Sequence, residues 1–365
     1  MDFRFTQEQD EAAELAASIL ADRATNEHQK AVEAAGDRFD RGLWAALGEA
    51  GLLGLALPEE HDGAGLGLVE LCRVLVEVGR TVAPVPLAVH GAASRFLAEA
   101  ASAELKAAWL PRAASGAVVL TAAVAEDRAW APARPTTLAT PDGDGFRLTG
   151  SKAVVPAGPY ADAFLVPAET PSGVDVFLVE PGDAGVSVVA QRSSDRDTVA
   201  RLDLDGVLLG ADRVVGPDHR LRQLLVLTGA AEQLGITEGA LRLTASYAKT
   251  REQFGRPIGT FQAVSQRLAD GYIDVLGQRL TLWSAAWRLD QGLPADTEVA
   301  IAKLWAADAG HRLAHTAVHV HGGVGIDLDG ETHRYFTTAK RFELLHGGAT
   351  EQALTIGRAL AAEPA

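Results

Sequence analysis

Between Thr6 and about Arg112, apolar residues return every three or four positions, the period of an amphipathic helix. Leu15, Ile19 and Leu20 share one face of a first helix, and Thr6 with Gln9 has the spacing of a capping box that opens it. Further helices are predicted over residues 40–50 and 66–82, and the proline and glycines of 57–65 between them spell a tight loop. From about 117 to 216 the pattern changes to short β-branched runs at 118–121, 146–149, 164–166, 174–179, 186–189 and 202–209. Pro141-Asp142-Gly143-Asp144-Gly145 and Pro171-Ser172-Gly173 read as the hairpin turns that punctuate them. Long amphipathic helices return from about 221 to 360, broken at 254–259, 292–294 and 322–323.

The order helix, sheet, helix makes the chain mainly α with a β domain, divided into an N-terminal helical domain over 1–116, a middle β domain over 117–219 and a C-terminal helical bundle over 220–365. No strands alternate with helices, and Gly322-Gly323-Val324-Gly325 follows a helix instead of a strand, so it is not the dinucleotide fingerprint of a doubly wound fold.

A hydrophobic fraction of 47% over 365 residues supports substantial cores and excludes a mainly disordered chain. The formal net charge of −15 repels nucleic acid and anionic membranes, so neither is an expected partner. A polyanionic ligand needs local donors against that field. The lone cysteine, Cys72, lies in an apolar run and is read as a core thiol. The first residues lack the layout of a secretory signal, and no uncharged apolar stretch reaches the length of a membrane span, so the cytoplasm is the expected location.

Four segments carry a family resemblance. The run 251–262, Arg251-Glu252-Gln253-Phe254-Gly255-Arg256-Pro257-Ile258-Gly259-Thr260-Phe261-Gln262, closely resembles the signature that joins two C-terminal helices in acyl-CoA dehydrogenases. Ala317-Val318-His319-Val320-His321-Gly322-Gly323-Val324-Gly325 is similar to the family's A-x-Q-x-x-G-G-x-G segment, with histidine where glutamine is usual. The Gly51–Gly65 stretch and Gly150-Ser151-Lys152 match two further segments, so the likeness spans nearly the whole chain. The resemblance implies an N-terminal helical domain, a β-barrel-like middle domain and a C-terminal four-helix bundle. It also implies FAD lying extended between two subunits, acyl-CoA as substrate and electron-transfer flavoprotein as electron acceptor. Carried over position by position, Arg251, Phe254, Gln262, His319, Gly322 and Gly323 would face the adenosine pyrophosphate.

In this family a glutamate removes the α-proton while a hydride leaves the β-carbon for the flavin. Where most members write Y-E-G-T-S, this chain has His346-Gly347-Gly348-Ala349-Thr350, which puts Gly347 at the base position. The alternate position used by some members falls at or near Leu225. Glu232 and Glu238 lie about two turns and more beyond it, too far to substitute, and are read as solvated or interfacial charges. The flavin-facing T-E-P-G-A-G-S-D and G-x-K-x-W-I-T-N segments are also altered, to 121–128 and 150–157 here. Losses confined to the ring-and-base half resemble the base-lacking partner in α2β2 acyl-CoA dehydrogenases that oxidise steroid side-chain CoA esters, which implies a homologous partner subunit. Two alternatives stay open: a homomeric enzyme with a displaced base at Glu343, His346 or Glu351, and a non-enzymatic scaffold. His311, His315 and His319 recur every four residues, a spacing that can bind zinc, but no carboxylate or cysteine completes the set in sequence and no metal is expected.

Overall fold

A computed structural model describes residues 4–362 of the chain. The capping box closes as expected: Gln9 N–H donates to Thr6 Oγ1 at 3.3 Å and Thr6 N–H to Gln9 Oε1 at 3.0 Å, opening helix α1 (Gln7–Arg23). Helices α2 (Asn26–Ala34), α3 (Arg41–Glu49), α4 (Leu68–Thr81), α5 (Leu87–Ala100) and α6 (Ala103–Ala114) follow. The side chains of Asp40 and Ser102 cap α3 and α6 by accepting from Leu43 and Leu105 N–H. His90 of α5 is wholly buried; Leu120 N–H donates to its Nδ1 at 3.2 Å and its Nε2 lies 3.2 Å from the Ala113 carbonyl.

The middle segment forms one sheet from β1 (Leu120–Ala122), β2 (Leu138–Asp142), β3 (Gly145–Pro156), β4 (Ala163–Thr170), β5 (Gly173–Val179), β6 (Val186–Arg192), β7 (Thr198–Leu209) and β8 (Val214–Pro217). Its order is β6-β7-β3-β2-β4-β5-β8, with β1 pairing parallel to β4. The two turn sequences read from the chain join β2 to β3 and β4 to β5. Phe164, Phe177, Leu148, Leu202 and Val207 form the core of this sheet. Strand β4 is buried along nearly its whole length, which is why it reads as a continuous apolar run instead of alternating. The sheet also encloses an ion pair: Lys152 Nζ donates to Glu126 at 2.8 Å, and Thr136 and Thr137 each donate to the same carboxylate through N–H and hydroxyl.

Helix α7 (His219–Thr250) leads to a minimal hairpin of β9 (Glu252–Gln253) and β10 (Arg256–Pro257), then to α8 (Gln262–Asp290), α9 (Asp296–His321), α10 (Thr332–Leu344) and α11 (Ala349–Ala362). The inner face of α9 is largely alanine, with Ala302, Ala306, Ala309, Ala314 and Ala317 buried, so neighbouring helices approach it closely. Larger buried residues of the bundle, such as Leu282 of α8 and Leu313 of α9, each contribute about 1.5–3 kcal/mol by leaving water.

By contacts the chain forms two compact units, Met1–Lys30 with Cys72–Ala83 and Gly229–Ala365, and Ala31–Leu71 with Pro84–Thr228. In the first, α4 crosses α7 at two glycines. A Cβ on Gly79 would lie 2.0 Å from the Glu232 carbonyl oxygen, and one on Gly235 would lie 2.0 Å from that of Val76. Glu232 is only 6% exposed, and Glu238 pairs with Arg80 at 2.5 Å and Arg279 at 2.6 Å, so of the two readings, solvated or interfacial, both are interfacial. Cys72 is buried, as expected.

Candidate functional site

Arg251 stands where α7 ends. Its N–H donates to the Tyr247 carbonyl and its own carbonyl accepts from Ile258 N–H, both at 2.8 Å, so the intervening residues close into a hairpin. Gln253 pairs with Arg256 across a two-residue tip, Phe254-Gly255, where φ is 53° and 74°. Positive φ at both tip residues belongs to a tight hairpin turn, a costly conformation for a phenylalanine. Phe254 is nonetheless 93% exposed, its ring set edge-to-face with that of Phe261 at 6.2 Å between centroids. The Arg256 guanidinium sits over Phe261 at 4.5 Å, and Gln262 opens α8 directly after it.

The second segment begins at the end of α9. Gly322 has φ 65° and ψ −141°, a region essentially reserved for glycine, and a Cβ on either Gly322 or Gly323 would meet nothing within 4 Å. Val320 packs with Ala248 and Ile258 in one small apolar cluster, edged by Tyr247, Phe261, Val264 and Leu268. This cluster joins the Arg251 hairpin to the end of α9. His321, which the sequence did not single out, is 7% exposed and stacks on Tyr247 with ring centroids 4.3 Å apart. His319, the expected contact, is exposed on the same helix.

At the expected base position the backbone is built for glycine. His346 and Gly347 have φ of 62° and 94°, and a Cβ at 347 would stand 3.0 Å from Gln352 Nε2, which itself donates to the His346 carbonyl. Leu225 is apolar and 2% exposed. The carboxylates flanking the loop are already committed. Burial would raise the Glu343 carboxyl, but hydrogen bonds from Lys340 and His311 outweigh it and hold it below the usual range, and Glu351 accepts from Gly348 N–H at 2.9 Å. His311 and His315 do neighbour each other, with centroids at 4.6 Å, but no group of three metal-ligating side chains occurs among the described residues. Nor is any described helix long and apolar enough to cross a membrane.

This fold belongs to a known class. Residues 6–117 match the acyl-CoA dehydrogenase N-terminal domain and residues 227–361 the acyl-CoA dehydrogenase C-terminal domain, so the chain belongs to the acyl-CoA dehydrogenase family. It is 48% identical to the acyl-CoA dehydrogenase FadE27 of Mycobacterium tuberculosis, with all of both chains covered. Among solved structures it is similar to a chain of the ChsE4-ChsE5 complex of Mycobacterium tuberculosis, at TM-score 0.96 and 48% identity over 100% of both chains. It is also similar to a chain of a Tcur3481-Tcur3483 steroid ACAD, at TM-score 0.93 and 42% identity over 98% of each.

Proposed function

We propose that this chain is one half of a divided acyl-CoA dehydrogenase: it holds the adenosine-pyrophosphate end of FAD, and a homologous partner subunit supplies the catalytic glutamate. The observation that carries this reading is Gly347, which has no carboxylate and stands on a left-handed backbone that a glutamate would adopt only at a cost. With Glu343 and Glu351 both engaged, a displaced base in the same loop is disfavoured.

The pyrophosphate half fits its group. Arg251 offers a guanidinium for charge-assisted hydrogen bonds to a diphosphate, Gln262 an amide, and the open space over Gly322 and Gly323 lets a ligand approach bare backbone. Phe254 offers an uncovered aromatic face, and His319 a ring nitrogen in place of the family's glutamine amide. FAD, when bound, supplies the hydride acceptor. What this chain contributes is binding and orientation, while the α-proton goes to the partner's base.

An uncovered surface on the same helical unit supports a two-chain site. Ile273, Leu276, Leu280 and Trp287 fall at helical spacing on one face of α8 and are all exposed. We take the substrate as an acyl-CoA of bulky, steroid-like acyl group, by likeness to the steroid ACAD, the acceptor as electron-transfer flavoprotein, and the location as cytoplasmic. The three-domain division at 116/117 and 219/220 is supported by the two family matches, which leave the β segment between them.

The test is the visible spectrum of the chain purified alone and co-purified with its partner. About one FAD per pair of unlike chains, with little on the lone chain, is the expected result. Near-stoichiometric flavin and acyl-CoA oxidation by the lone chain would overturn the reading.

A further inference from the structure

His321 is the last residue of α9, immediately before Gly322. Its Nδ1–H donates to the Ala317 carbonyl at 2.8 Å, one turn back in its own helix. Its ring lies over that of Tyr247 at 24° between planes and 4.3 Å between centroids, and Tyr247 is the residue whose carbonyl receives Arg251 N–H. The same imidazole therefore grips the end of one cofactor-side segment and the root of the other. Gly322 then leaves the helix at φ 65°, one of several conformations open to a glycine, so the two glycines do not set their own path and it depends on how firmly α9 is ended.

We propose that His321 is a positioning residue of the cofactor site: through Tyr247 and Ala317 it fixes the Gly322-Gly323 turn in register with the Arg251 hairpin. The inference rests on the reading of those two segments as the pyrophosphate side. A leucine would fill the space but could neither donate to Ala317 nor stack, and a phenylalanine could stack but not donate. Burial lowers the histidine's pKa, opposed by the bond to Ala317, so the ring is held neutral with its single proton on Nδ1.

The experiment is a titration of FAD into the flavin-free assembly of the chain with its partner, read by quenching of flavin fluorescence, with thermal melts in parallel. His321→Leu should weaken FAD binding about tenfold or more while the melting temperature holds. His321→Asn, whose amide nitrogen can donate to the Ala317 carbonyl, should recover most of that loss. Wild-type affinity in His321→Leu, equal weakness in His321→Asn, or a collapse of the melting temperature would each overturn the proposal. A wild-type assembly that takes up no FAD would instead overturn the site reading beneath it.

Discussion

Lys303 Nζ lies 2.7 Å from the Phe342 carbonyl oxygen and 3.1 Å from that of Glu343, so an amine from the middle of α9 closes the end of α10. Those carbonyls belong to the last helical turn and have no partners within their own helix. Only 2% of Lys303 is exposed, and the loop that follows α10 holds Gly347.

The first prediction concerns this amine. Burial, opposed by Glu343 and Glu351, lowers the Lys303 pKa from 10.5 to about 7. Between those two values the unfolded chain takes up a proton that the folded chain does not, so this group makes stability rise with pH across that window. Urea unfolding of wild type and Lys303→Met at neutral pH and near pH 10 should show the difference moving in favour of wild type at the higher pH. A difference independent of pH would refute the assignment.

His90 carries the opposite end of the scale. Its burial lowers the pKa from 6.5 to about 4 against the hydrogen bond to Ala113, so its contribution is complete above pH 6.5 and is lost as pH falls toward 4. His90→Phe leaves Leu120 N–H without the imidazole nitrogen it donates to, while the Ala113 carbonyl keeps Gly116 N–H, at a cost of about 1–3 kcal/mol near neutrality. The gap between variant and wild type should narrow as unfolding is repeated at lower pH.

Restoring the missing carboxylate should not restore an enzyme. Gly347→Glu puts a side chain on a left-handed backbone beside the Gln352 amide, and we expect it to destabilise the chain by about 1–2 kcal/mol. Acyl-CoA oxidation by the variant chain alone, assayed with an artificial electron acceptor, should stay at background. Turnover approaching that of the assembly would mean that only one residue separates this chain from a complete enzyme.

Arg251 should matter to flavin retention more than to folding. Replacing it with alanine removes one charge-assisted contact to a diphosphate, a loss of about 10–100-fold in FAD affinity, with little change in melting temperature because the side chain is exposed. Equilibrium dialysis of the assembly against FAD gives the number directly. Unchanged retention would remove Arg251 from the site.

Much of this architecture is legible in the sequence because it repeats. The capping box at Thr6, the hairpin turns at 143 and 172 and the long helical periods all depend on residues close together in the chain. Strands β2 and β8 escaped notice because each is short and contains a proline. The Arg251 hairpin and the Gly322 turn were visible as motifs, yet their union through Val320, Ile258 and the His321–Tyr247 stack joins residues about seventy positions apart. Lys303 was hidden for the same reason: a lone lysine in a helix looks solvated until the carbonyls it meets, some forty residues on, are known. For Glu232 the choice between a solvated and an interfacial charge stayed open because burial of a charge leaves no mark on helical periodicity.

The crossing of α4 and α7 bears on which parts of this chain are free to drift. At Gly79 and Gly235 the obstacles to a side chain are main-chain oxygens, which no neighbouring substitution can shrink. A side chain at either position therefore has to part the two helices. At 347, by contrast, the nearest obstacle is the tip of a glutamine side chain, which another mutation can remove. The chain is thus bound more tightly by two glycines at a helix crossing than by Gly347, where an added side chain has only another side chain to displace.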